Sequence, residues 1–360
     1  MNRLGKVIAA AAGVAAVGGA ALAVREVSRR RPDDPYADEP LGQLPPTRTS
    51  TVAAADGTAL SVEEIDPEDG GKPDLTAVLV HGFAVSRLSW HFQRRDLARL
   101  TDPRVRLVLY DHRSHGRSGR ADITTSSIDQ LAGDLDEVVR AVAPDGPLVL
   151  IGHSMGGMVV MGLAERNPEL FAERVRGVAL IGTSAGEVGK RGLPRPLLSK
   201  HNPVTRLVGQ LAEWQPGLVE LIRAAAGQLT RQAVRGIGFG STGISPSLVD
   251  FLVDMLNVTP VRVLADFIET LGDHNRYAAL AGLKHSHVLV LSGDEDLMTP
   301  FSHAERINAE LPDAHLVRAR GAGHMVMLEQ PDLVTEHLAT LLRECARGLG
   351  SGRKRWWRRA

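Results

Sequence analysis

The part of this chain best suited to chemistry is a serine set between glycines. Leu148-Val149-Leu150-Ile151 is an apolar, strand-like run. It leads straight into Gly152-His153-Ser154-Met155-Gly156-Gly157, and a helical pattern follows. A serine on such a strand-to-helix turn is lifted clear of the sheet with its hydroxyl exposed. Gly152 and Gly156 let neighbouring backbone pack closely around a turn that side chains would crowd. A serine hydroxyl is a weak nucleophile until a base takes its proton. The spacing therefore points to acyl transfer through Ser154, with partners to be found elsewhere in the chain.

Of the 13 histidines, His324 is best placed as that base. It lies in Arg320-Gly321-Ala322-Gly323-His324, past the last strand pattern and before the final helix. Loops at the carboxyl ends of strands are where α/β sheets gather functional groups. An acid must hold the imidazole, and Gly293-Asp294-Glu295-Asp296 supplies candidates just after the preceding strand. Asp296 takes the role here. Asp294 is its rival, with hydrogen bonding inside the turn as its ordinary use.

A tetrahedral oxyanion needs backbone donors, and losing one costs on the order of 100–1000-fold in rate. Met155 N–H is the first. Val78-Leu79-Val80-His81-Gly82-Phe83 offers Phe83 N–H as the second, with Gly82 allowing close approach. His81 reads as a hydrogen-bonding scaffold residue rather than a second base. The segment Tyr110-Asp111-His112-Arg113-Ser114-His115-Gly116 invites a metal reading. Its glycines and serines instead favour an ordered loop that buttresses the nucleophile turn. The sequence has no cysteine cluster, H-E-x-x-H or P-loop, so zinc and nucleotide chemistry lack support.

Short apolar runs must position these residues. Residues 49–55 and 60–65 flank Asp56-Gly57, a hairpin signal. Further runs fall at 77–80, 105–110, 148–151, 175–181, 288–291 and 315–319. Most are β-branched or leucine-rich without alternation, as in parallel strands covered on both faces. Between them, Ile128, Leu131, Leu135, Val138, Val139 and Val142 line one helical face. Ser127 and Gln130 suit a capping box at its start. The expected fold is α/β: a mainly parallel central sheet flanked by helices with right-handed crossovers. Residues 184–284 break the rhythm, with helical patterns at 203–213, 217–235, 246–256 and 260–271. They read as a helical cap inserted between a first core part, 48–183, and a second, 285–346. Its Trp214, Leu218, Leu221, Phe251, Leu252 and Met255 either line an acyl pocket or pack the cap onto the core.

Five motifs fall in order: H-G-F at 81–83, D-x-R-x-H-G-x-S-G at 111–119, G-H-S-M-G-G at 152–157, G-x-x-D-x-x-T-P at 293–300 and G-x-G-H at 321–324. Together they resemble the α/β-hydrolase superfamily over about residues 48–345. The Ser…Asp…His order matches that fold. Ser114 stands where the family usually has glycine. The resemblance implies a cofactor-free hydrolase, within a range that covers esterases, lipases, thioesterases, amidases, peptidases and C–C hydrolases. Relatives acting on epoxides or haloalkanes use an aspartate nucleophile, and Ser154 argues against those. The expectation is an esterase- or lipase-like serine hydrolase of a small-molecule acyl substrate, with no cofactor and no metal. The alternatives are a cofactor-free perhydrolase or haloperoxidase-like enzyme, and a non-catalytic ligand-binding protein on the same fold.

The 42 basic and 42 acidic residues cancel, so net charge makes no case for nucleic acid. Both ends are nevertheless basic. Residues 7–24 form an uncharged run of mainly Ala, Gly and Val behind Arg3 and Lys6. Residues 1–31 read as a signal sequence or a short membrane anchor. Ala21-Leu22-Ala23 resembles a cleavage site, but Arg25, Arg29, Arg30 and Arg31 oppose export. Membrane association with a cytoplasmic catalytic domain is expected, and secretion is the alternative. Residues 32–47, with five prolines, read as a semi-extended linker. The tail, 347–360, ends in Arg353-Lys354-Arg355-Trp356-Trp357-Arg358-Arg359, which suits an anionic lipid surface. The single cysteine, Cys345, can form no internal disulfide and reads as an ordinary residue near a surface helix.

Overall fold

The computed structural model describes residues 34–188 and 227–347. The expected membrane or signal run, the first cap helix, Trp214, Leu218, Leu221 and the basic tail lie outside them. Among the described residues, no helix is long and apolar enough to cross a membrane.

Eight strands form one sheet in the order β1-β2-β4-β3-β5-β6-β7-β8. They are β1 (Arg48–Ala53), β2 (Ala59–Ile65), β3 (Leu75–Val80), β4 (Val105–Tyr110), β5 (Leu148–His153), β6 (Val175–Ile181), β7 (His287–Gly293) and β8 (His315–Ala319). The β1–β2 and β2–β4 pairings are antiparallel, and the others are parallel. At the first hairpin, Gly57 adopts φ 84°. Asp56 Oδ1 accepts the Thr58 N–H at 3.0 Å, which is how an aspartate closes its own turn. Along β5, Leu148 and Leu150 join one apolar layer while Val149 and Ile151 join the other. Burial on both faces explains why central strands such as β3 and β5 read as unbroken apolar runs.

Helices cover both faces: α1 (His91–Leu97), α2 (Ile128–Val142), α3 (Met155–Arg166) and α4 (Pro168–Glu173) in the first half. The Ser127 hydroxyl caps α2 by accepting the Gln130 N–H at 3.1 Å. The reciprocal half of the expected capping box does not form. Gln130 instead donates to Asp134 Oδ1 at 3.3 Å, a carboxylate already buried against Arg113.

Between β6 and β7 the described residues form α5 (Gly227–Gly238), α6 (Pro246–Val258) and α7 (Val261–Gly272), within the segment read as a cap. Its two ends are stapled together. Gly186 and Asn275 form an antiparallel bridge, and Arg276 N–H donates to Ala185 O at 2.6 Å. The second core part adds α8 (Ser302–Glu310), α9 (Val326–Glu329) and α10 (Pro331–Arg347). Cys345 on α10 is buried rather than near the surface, and burial pushes its thiol up to about 12.

Residues 34–47 differ from the semi-extended linker the prolines suggest. They fold in turns against the domain. Asp34 accepts from Ser247 N–H at 3.0 Å and Ser247 Oγ at 2.7 Å at the start of α6. Glu39 lies 2.8 Å from His91 Nε2 and 2.9 Å from Arg95 Nη1. The Tyr36 and Phe92 rings are 5.1 Å apart. These anchors reach α1 and α6, so no local pattern reveals them. Residues 34–47 thus form a strap held on α1 and α6.

Candidate active site

Strand β5 is buried throughout and ends at His153. Ser154 follows with φ 53° and ψ −121°, a region that costs a non-glycine residue about 1–3 kcal/mol. Surrounding bonds hold it there. Ser154 N–H donates to Ile181 O at 2.9 Å, and the Thr183 hydroxyl donates to Ser154 O at 2.7 Å. A Cβ on Gly152 would fall 2.5 Å from Gly156 O, so the turn closes only around glycine.

The three sequence-predicted side chains meet. His324 Nε2 lies 2.9 Å from Ser154 Oγ, and His324 Nδ1 lies 2.8 Å from Asp296 Oδ2. All three residues are buried. With Nδ1–H donated to the carboxylate, Nε2 is left to accept the serine proton, a tautomer set by the partners. Asp296 Oδ1 accepts the N–H groups of Met298 at 2.8 Å and Thr299 at 2.9 Å. Asp294 is elsewhere: it is exposed, and its Oδ1 accepts the Gly321 N–H at 2.7 Å.

The oxyanion loop comes close to the nucleophile. A Cβ on Gly82 would fall 3.1 Å from Ser154 Cβ, so only glycine brings Phe83 this near. The N–H groups of Phe83 and Met155 donate to no protein acceptor among the described residues. They are two backbone donors beside a buried hydroxyl, the arrangement that stabilises a developing oxyanion.

Beneath this loop His81 is fully buried. Its Nδ1–H donates to Gly82 O at 2.7 Å, and its Nε2 accepts the His112 N–H at 2.9 Å. Burial, with His112 and His115 nearby, holds its pKa well below the usual histidine value. Both nitrogens are committed, so His81 serves the loop as scaffold. His112 and His115 are likewise buried, with burial pulling their pKa values down to about 3 and about 4. Arg113 ties the same loop to α2 through two 2.6 Å bonds to Asp134, and to the first hairpin through Asp56 at 2.7 Å. Ser114 adopts φ 63°, the conformation that favours the family's glycine. Its hydroxyl accepts the Ala121 N–H at 3.1 Å, which helps hold the strained turn.

Four supporting residues escaped the sequence reading. His153 and Thr183 hold His324 O and Ser154 O respectively. The Thr299 hydroxyl lies 2.9 Å from both Asp296 Oδ2 and Gly182 O. Glu329 gathers the N–H groups of Gly323 at 2.7 Å, Gly240 at 3.0 Å and Ser241 at 2.7 Å, fastening the His324 loop to the end of α5. His153 and Thr299 stand inside motifs noted above, which was their only signal. Thr183 and Glu329 had none. The described residues singled out in this region, Phe251, Leu252 and Met255, all pack in one core cluster, and Phe251 and Met255 also line a cavity that contains none of the triad.

The model of a family described as the alpha/beta hydrolase family matches residues 77–337. The chain is 26% identical over 286 residues to the dihydrolipoyllysine-residue acetyltransferase component of an acetoin cleaving system from Pseudomonas putida, covering 77% of this chain and 66% of that protein, just under two thirds of its length. It is 26% identical over 281 residues to the uncharacterized hydrolase YugF of Bacillus subtilis, covering 74% of this chain and 90% of that one. Among solved structures, a thermophilic esterase from Thermogutta terrifontis superposes with a TM-score of 0.65 at 22% identity, over 83% of this chain and 99% of the esterase. At that identity the likeness speaks for the fold alone.

Proposed function

This chain belongs to the alpha/beta hydrolase family of enzymes, and from that premise we propose that it cleaves carboxylic esters through an acyl-enzyme on Ser154. The observation that carries this reading is the relay from Ser154 Oγ to His324 Nε2 at 2.9 Å and from His324 Nδ1 to Asp296 Oδ2 at 2.8 Å. His324 Nε2 takes the Ser154 proton as Oγ attacks the acyl carbonyl carbon. The Phe83 and Met155 N–H groups receive the negative oxygen. His324 then delivers the proton to the departing alkoxide, leaving an ester on Ser154. Water, deprotonated by His324, attacks that ester and releases the acid. Asp296 stays ionised and stabilises the imidazolium. Fluorophosphonate labelling of Ser154, combined with turnover of esters of graded chain length, tests the proposal. Absent labelling points to a non-catalytic binding protein. Peroxide-dependent bromination without ester turnover points to haloperoxidase-like chemistry.

The basic ends support a second part of the reading. We propose that residues 1–31 and the Arg-Trp tail associate with a lipid surface and keep the catalytic domain on the cytoplasmic side. Two weak membrane signals together anchor better than either alone. An intact chain in the membrane pellet, released by deleting residues 1–31, supports this. A mature chain beginning at Val24 in the medium overturns it.

A further inference from the structure

Phe83 N–H is one end of a peptide whose other end is Gly82 O. That peptide is trans, since the one cis bond among the described residues is Asp102–Pro103, so its N–H and C=O point in opposite directions. His81 Nδ1–H holds Gly82 O at 2.7 Å. The next residue of the loop, Ala84, is held from a distant part of the chain. Its φ of 66° lies in the left-handed region, which a non-glycine residue keeps only where its surroundings impose it. Ala84 O accepts the Thr259 hydroxyl at 3.1 Å, across 175 residues of sequence.

Thr259 stands between α6 and α7, directly before Pro260. A following proline disfavours helical backbone, and Thr259 is accordingly extended, with φ −84° and ψ 115°. The turn reverses the usual sorting of side chains. Val258, the last residue of α6, is 61% exposed, whereas Thr259 is 1% exposed. Burying a hydroxyl is costly unless it is hydrogen-bonded, and the bond to Ala84 O meets that need. Further along the loop, Arg87 N–H donates to Asp111 Oδ1 at 2.8 Å. The stretch from Gly82 to Arg87 is thus tied to the core at both ends, and in its middle to the segment read as a cap.

We propose that Thr259 is a positioning residue for the oxyanion donors. Through Ala84 O it keeps the loop, and with it Phe83 N–H, where negative charge develops on the substrate oxygen. The inference rests on the ester-hydrolysis reading, in which Phe83 is a donor. The His81 bond fixes where Gly82 O lies but leaves that peptide free to swing about it. The Thr259 bond, two residues on, removes the freedom by holding Ala84 in its left-handed turn. A donor of this kind works through placement fixed in advance, because it then costs no reorganisation during the reaction. The neutral ground-state carbonyl gains less from it than the oxyanion does, so its misplacement is read in kcat rather than in KM. The turn between α6 and α7, and not the core alone, therefore sets the geometry of the hole.

Thr259→Val, which removes the hydroxyl at nearly constant shape, is expected to lower kcat for ester turnover by about tenfold or more, towards the roughly 100-fold that a 1 Å misplacement costs, with KM little changed. Thr259→Ser keeps a hydroxyl and recovers most of the loss. A trifluoromethyl ketone carrying the acyl chain the enzyme turns over best supplies a second readout. Ser154 Oγ adds to its carbonyl carbon, the hydroxyl proton passes to His324, and the carbonyl oxygen becomes an oxyanion in the hole. Its affinity falls in Thr259→Val by the same factor as kcat. The methyl ketone of the same chain, which forms no stable adduct, binds both proteins alike. Equal losses in Thr259→Val and Thr259→Ser, equal weakening of both ketones, or a lowered Tm with unchanged kcat overturns the inference and leaves Thr259 a structural residue. Where the unaltered chain turns over esters and labels at Ser154, those outcomes leave the ester-hydrolysis reading standing. A chain that neither labels nor turns over esters overturns that reading and this inference with it.

Discussion

His153 donates its Nε2–H to the main-chain carbonyl of His324 at 2.9 Å. The residue before the nucleophile thus holds the loop that carries the base, by a bond that does not pass through Ser154. Burial, reinforced by the neighbouring His324, keeps the His153 pKa well below the usual histidine value. A neutral ring has one N–H to give, and here it goes to that carbonyl. His153→Phe removes the donor while keeping an aromatic ring in the same place. We expect kcat to fall roughly 10–100-fold, the scale of a small misplacement of a catalytic group, with KM little changed and fluorophosphonate labelling slowed in parallel. A lowered Tm with unchanged kcat would assign His153 a purely structural role.

Ser154→Ala should fold normally and lose ester hydrolysis by at least ~10⁴-fold, as removal of a triad nucleophile does. Circular dichroism and steady-state rates check both parts. Near-full activity in the variant would end the acyl-enzyme reading.

The two neighbouring aspartates separate by substitution. Asp296→Asn retains shape but cannot stabilise the imidazolium, and it leaves His324 in the wrong tautomer. The expected loss is roughly 10³–10⁴-fold in kcat. Asp294→Asn still offers an oxygen to the Gly321 N–H, so its activity should stay close to that of the unaltered enzyme. The opposite ranking would move the acid role to Asp294.

Acid should destabilise the fold well before the carboxylates titrate. His112, His115 and His274 are buried and neutral, with pKa values pulled by burial to about 3, about 4 and about 4. The unfolded chain takes up protons near 6.5 at these positions, the ordinary histidine value. Between that value and the folded-state values the unfolded chain holds more protons, so stability rises with pH. It is complete above about 6.5. As pH falls from there towards 4, each such histidine removes up to about 1.4 kcal/mol per pH unit. Chemical denaturation at pH 8, 6 and 5 measures the slope. A midpoint constant over this range would contradict buried, neutral histidines.

How far the sequence reaches is clearest at particular residues. All eight strands were legible: the central ones, such as Leu148–His153, as apolar runs buried on both faces, and the largely exposed first strand through the Asp56-Gly57 hairpin signal beside it. Ser154, Phe83 and Met155 were legible because short motifs impose their own backbone geometry, as the Ser154 φ of 53° records. Choosing His324 and Asp296 took the strand order as well, since each stands in the loop after a strand end. What no local pattern carries is the meeting of side chains far apart in the chain. Ser154 and His324 are 170 residues apart, and the bond from Thr183 to Ser154 crosses between adjacent strands whose pairing depends on the assembled sheet. The strap shows the same limit. Its prolines describe a chain that avoids regular structure, whereas Asp34, Tyr36 and Glu39 dock it on α1 and α6 through contacts 52 to 213 residues away for the two acids. Periodicity and turn chemistry are properties of neighbours along the chain, so they specify elements and the motifs at element ends. Packing alone decides which ends converge, how closely the Asp296 carboxylate approaches His324, and where a cavity opens beneath the strap.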